Sequence, residues 1–154
     1  MAYAYFYMSV GAVWVFFAIS IHYRPLRLNN IIIGISSALY SVIFDTIFGQ
    51  RMGLYYYIAP QDSTLYTILS AVLVYSLLNI AYTLFLPRKG SGVLAYTALW
   101  MGAMLLFEYF SLVTGIVVFS GWKPIPWSFV TYVVSYGWMY YFFKFLSKRE
   151  LCTE

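Results

Sequence analysis

Two carboxylates stand among apolar residues: Asp45, in FDTIFGQ at the end of an apolar run, and Glu108, in LLFEYF in the middle of another. Asp62, Glu150 and Glu154, the other acidic residues, fall in connections or in the tail. A charge at bilayer depth costs about 2.5 to 3.5 kcal/mol on insertion scales, so such groups are functional by default. When two carboxylates approach each other, repulsion and desolvation leave a shared proton, a bound cation or an arginine as the neutralising partner. Arg51 follows Asp45 by six residues and has a long stem that can fold back, and Tyr55, Tyr56 and Tyr57 come next. Asp45, Glu108, Arg51, Tyr55, Tyr56 and Tyr57 are therefore the candidate ligand-binding residues. The ligand chemistry they suggest is a cation, a proton or an amine-bearing small molecule. The structural alternative is a helix-end Asp45 paired with Arg51 and a Glu108 that makes a single interhelical hydrogen bond.

Other chemistries find little support. His22 is the only histidine and Cys152 the only cysteine, so no metal-ligand cluster, internal disulfide or Cys-x-x-Cys pair is available. The chain contains no Walker loop, Gly-x-Ser-x-Gly, His-Glu-x-x-His or aspartate-rich diphosphate motif. No catalytic residue, metal site or cofactor is assigned. A lipid-modifying enzyme would have to use Asp45 and Glu108 as an acid and base pair, with Arg51 and tyrosines holding an anionic head group.

The elements that must position these residues follow from composition. Hydrophobic residues make up 63% of the 154 and charged ones 9%, far below the roughly one quarter charged of soluble domains. The expected fold is an all-α polytopic bundle, a single domain over residues 1–154. Five apolar segments are long enough to cross a hydrocarbon core of about 30 Å: residues 2–21, 30–48, 64–86, 93–119 and 126–146. The first carries no basic n-region and no cleavage site, and is expected to be retained. Lys and Arg divide seven to two between the alternate sides, the seven being Arg24, Arg27, Arg88, Lys89, Lys144, Lys148 and Arg149. By the positive-inside rule this puts the N-terminus outside and the C-terminus in the cytoplasm. The net charge of +4 is then a topology signal, and a nucleic-acid partner is not expected.

In this arrangement Asp45 and Glu108 each lie fifteen residues into a span running outward, about 22 Å along a helix, in the outer half of the bilayer. Gly34, Ala38, Ser41 and Asp45 form one stripe of small residues, which should face protein. Thr97, Met101, Met104, Glu108, Ser111 and Gly115 form a similar stripe on the fourth span. Ser76, Asn79 and Thr83 on the third span are expected to hold helices together rather than bind substrate. Most tyrosines, with Trp122 and Trp127, are expected in the interfacial aromatic belt. The long outer connection, residues 49–63, is expected to fold over the mouth of the bundle, anchored by Tyr55 to Tyr57.

The order of FDTIFGQ, a tyrosine-rich segment ending in YIAP, a basic PRKG turn, a glutamate-bearing fourth span and GWKPIPW resembles a family of uncharacterised small multi-pass membrane proteins of endospore-forming Gram-positive bacteria. The resemblance implies the bacterial cytoplasmic membrane and supplies no site residues. The function expected from the residues is an integral membrane protein in the lipid bilayer that binds or carries a small cationic ligand at its acidic site. The alternatives are a non-enzymatic partner subunit, assembled as a homo- or hetero-oligomer through small-residue faces, and the lipid-modifying enzyme.

Overall fold

The computed structural model describes residues 1–87 and 90–150, so Arg88, Lys89 and Cys152 lie outside the described residues. Five helices form a bundle: α1 (Ala2–Tyr23), α2 (Leu28–Arg51), α3 (Ser63–Phe85), α4 (Ser91–Val113) and α5 (Phe129–Glu150). α1 to α4 are long and apolar enough to cross a membrane, as a multi-pass membrane protein requires. α5 matches them in length but is less apolar, because tyrosines occupy its body and lysines its last turns.

Two helices are not α-helical throughout. α2 widens into a π-helical turn over Thr46–Arg51, directly after Asp45, and α3 does so over Ala71–Tyr75. Such bulges inside helices occur frequently at functional sites. Both adjoin the cavity described below.

The helix axes approach closely where side chains are small. A Cβ on Gly34 would stand 2.5 Å from Ile80 Cδ1 and 2.7 Å from Cγ1, so any larger residue would force Ile80 out of this close α2–α3 contact. Gly34 and Asp45 are buried, and Ile35, Leu39 and Ile43 on the other sides are exposed, as the stripe predicts. Lower on the same pair, Asn30 Nδ2 donates to Thr83 Oγ1 at 2.9 Å. The expected gluing role of Thr83 is thus a defined bond between α2 and α3.

Two expectations are corrected. The fourth span does not run to residue 119, because α4 ends at Val113. Gly115 takes φ +74°, its N–H bonds to Leu112 O at 3.1 Å, and the Ile116 N–H bonds to Ser111 O at 2.8 Å. These two bonds and the left-handed glycine are the Schellman helix stop. The glycine that membrane composition allows inside a span here terminates one.

The fold is also not purely helical. Residues beyond the stop form a strand, β2 (Val117–Phe119), which pairs antiparallel with β1 (Tyr55–Tyr57), Tyr55 opposite Phe119 and Tyr57 opposite Val117. The backbone N–H groups of Ser120, Gly121 and Trp122 all point to Leu54 O, at 2.9, 3.0 and 3.0 Å. This ribbon ties the connection after α2 to the connection after α4. Around it packs one apolar cluster, with Phe6, Tyr55, Tyr57, Tyr66, Ile116 and Val117. A second cluster, with Ile33, Tyr82, Met104, Tyr136 and Met139, fills the other end of the bundle.

Candidate functional site

Between the two clusters lies a cavity of about 140 Å³, and both Asp45 and Glu108 line it. α2 delivers Asp45 at the end of its small-residue stripe, and α4 delivers Glu108 about two turns before its Schellman glycine, Gly115. The ribbon forms a roof. Alternate residues of a strand point the same way, so β1 sends both Tyr55 and Tyr57 down into the cavity, and both are buried, 7% and 5% exposed.

Each carboxylate is held by its own set of hydroxyls. The Tyr55 hydroxyl donates to Asp45 Oδ1 at 2.6 Å, while the Tyr57 and Ser41 hydroxyls reach Oδ2 at 3.4 Å. The first has the length of a charge-assisted O–H···O bond and the other two are long. Burial, aided by the neighbouring Asp45 carboxylate, raises the pKa of Tyr55 and of Tyr57 above the ordinary tyrosine value. Both hydroxyls therefore stay protonated and act as donors.

Glu108 is held from the opposite wall. The Ser128 hydroxyl donates to its Oε1 at 2.5 Å and the Tyr132 hydroxyl to its Oε2 at 2.8 Å. Ser128 in turn accepts the indole N–H of Trp122 at 2.9 Å. The turn over Pro124–Ser128 places Ser128 just before α5, one helical turn from Tyr132. Ser128, Tyr132, Tyr136 and Met139 all line the cavity and form one face of α5. A carboxylate has about four acceptor sites. Asp45 uses three and Glu108 two, which leaves acceptor capacity on each.

Aromatic rings make most of the remaining wall. Tyr75, placed by the π-helical turn of α3, Trp122, Phe119 and Tyr136 face the cavity, and Asn79 joins them by accepting from Tyr136 at 3.4 Å. Among the described residues that line the cavity none is Lys, Arg or His. The site is two carboxylates in an aromatic box whose described lining holds no basic counterion.

The structure thus brings together Asp45, Glu108, Tyr55 and Tyr57, and leaves two candidates outside. Arg51 is exposed and does not line the cavity, and among the described residues it forms no ion pair with Asp45. Six residues is not a same-face spacing on a helix, and hydroxyls occupy the position given to the guanidinium. Tyr56, between the two inward tyrosines, points to the other face of the ribbon. Tyr55 and Tyr57 are cavity residues rather than belt residues, and Trp122 is likewise drawn inward, whereas Trp127 is exposed. Asn79 is a cavity residue as well as a helix-to-helix contact.

Ser128, Tyr132, Tyr75 and Trp122 are the site residues that sequence reasoning missed. The four-residue spacing of Ser128, Tyr132 and Tyr136 was the available signal for three polar groups on one helical face. Comparisons with known protein families, with curated proteins and with solved structures find no match to this chain.

Proposed function

We propose that the protein spans the bacterial cytoplasmic membrane with all five helices, N-terminus outside and C-terminus in the cytoplasm, and binds a small organic cation in the cavity beneath its ribbon. The observation that carries this reading is the pairing of Asp45 and Glu108 in one aromatic cavity whose described lining has no basic residue. Carboxylates attract an ammonium group, and tyrosine and tryptophan faces attract it through their quadrupoles. Aromatic walls suit an organic ammonium better than a hydrated metal ion, which keeps its waters and seeks further oxygen ligands. The seven-to-two division of basic residues supports the orientation, which puts the ribbon and cavity in the outer half of the bilayer.

The test is a titration of the purified protein in lipid nanodiscs with butylammonium, followed by intrinsic tryptophan fluorescence and calorimetry. Saturable binding is expected for the wild type. Asp45→Asn and Glu108→Gln should each weaken it at least tenfold while both variants remain folded, since neutral amides are cheaper to bury than carboxylates. Unchanged affinity in both variants would defeat the reading.

A further inference from the structure

Resting on this cation-binding reading, we infer that the ligand is an amphiphile dissolved in the bilayer, an ammonium group on a long alkyl chain, which enters sideways between α2 and α5 past the stacked rings of Tyr40 and Trp138. These two rings line the cavity and yet are 36% and 42% exposed, so each reaches both the cavity and the outer surface. They stack at 6.1 Å and 19° across the contact between α2 and α5. Opening this contact takes a rotamer change at Tyr40 or Trp138, which also gives up the ring contact to Phe44 at 6.0 Å or to Phe142 at 5.3 Å.

Tyr40 follows the start of α2 by twelve residues, about 18 Å into a helix roughly 36 Å long, so it sits at mid-depth in the membrane. Tyrosine and tryptophan on a lipid-facing surface belong at the headgroup level. A belt role does not account for two such rings stacked at the centre, whereas a door into a polar cavity does.

The roof offers no comparable passage. The ribbon pairs β1 with β2, three N–H groups converge on Leu54 O, and Tyr55 bonds Asp45, so entry from the aqueous side would break several hydrogen bonds at once. The hydroxyl of Ser135 on α5, about one turn nearer the roof than Trp138, also lines the cavity and gives a polar head group a partner on its way to the carboxylates. Size points the same way. A cavity of about 150 Å³ takes a molecule the size of benzene, so about 140 Å³ holds on the order of six heavy atoms. That accommodates an ammonium head and a few carbons, and a long chain has to trail out through the door.

The experiment uses wild-type protein in nanodiscs and a dodecylammonium probe with a diazirine at the far end of its chain, followed by mass spectrometry of the labelled peptides. Label that is displaced by excess butylammonium is expected on the lipid-facing sides of α2 and α5, in the peptides holding Tyr40 and Trp138. Trp138→Ala, with helicity confirmed by circular dichroism, should speed exchange of the bound dodecylammonium at least tenfold. Displaceable label on the roof residues 54–57 and 117–122, or spread evenly over all five helices, overturns the side door while leaving cation binding intact. If the wild type binds neither amine, the cation-binding reading fails first and the door with it. Should Trp138→Ala not fold, the wild-type label position decides alone.

Discussion

Tyr55→Phe isolates the bond on which the roof and the site both depend. The substitution keeps the buried ring and removes only the hydroxyl that meets Asp45 Oδ1 at 2.6 Å. A hydrogen bond to a charged group contributes about 1.5 to 3 kcal/mol, and its loss leaves a buried carboxylate oxygen without its strongest donor. Tyr57→Phe removes a contact to Asp45 of 3.4 Å, outside the usual O–H···O range, and a neutral hydroxyl contact with Tyr75, and should cost less than Tyr55→Phe, about 1 kcal/mol. The ordering is measurable by reversible unfolding in mixed micelles. Hydrogen exchange over residues 54–57 should rise in parallel, by about ten- to a hundredfold for Tyr55→Phe, because the ribbon opens locally when its anchor is lost. In a double-mutant cycle with Asp45→Asn, the coupling should be about 1 to 2 kcal/mol. Equal costs for the two tyrosines, or strict additivity with Asp45→Asn, would refute the geometry on which the site is built.

Other consequences follow from packing and topology. Gly34→Ala drives a methyl into Ile80 and should destabilise by about 1 to 3 kcal/mol, whereas Gly102→Ala, with nothing within 4 Å of its added Cβ, should be neutral or gain up to about 1 kcal/mol from helix propensity. A thermal-melt comparison of the two variants checks this, and equal melting points would contradict the close α2–α3 contact. A reporter fused after Glu154 should be active only in the cytoplasm, and an external C-terminus would invert the depth assigned to the cavity.

What the sequence made legible was the part governed by helical period and apolar length. The stripe of Gly34, Ala38, Ser41 and Asp45 identified the buried face of α2 because every member obeys the same local spacing. The ribbon was hidden because its two strands are three residues each, lie far apart in the chain, and begin in segments that look like membrane belt or span. Gly115 is ambiguous in sequence for a similar reason: glycine inside a membrane helix is common, and only its left-handed conformation makes it a stop. Burial of Tyr55, Tyr57 and Trp122 followed from the ribbon, so it could not be read before the ribbon was known. Arg51 illustrates the opposite hazard. A basic residue close in sequence was credited with neutralising Asp45, while the neutral hydroxyls that hold it come from a strand and from the preceding turn of its own helix.

On the proposed cation-binding reading, one bound ammonium group is shared by Asp45 and Glu108. This reading is tested most directly by solid-state NMR of the protein in lipid bilayers, with ¹³C-labelled carboxylates and ¹⁵N-labelled butylammonium, assigned by comparison with Asp45→Asn and Glu108→Gln. Dipolar contacts from the single ammonium nitrogen to both carboxylate carbons are predicted, each within about 5 Å, the range of a direct or one-water bridge. Contact with neither carboxylate, or with Glu108 alone while Asp45 keeps only its tyrosine partners, would contradict the account.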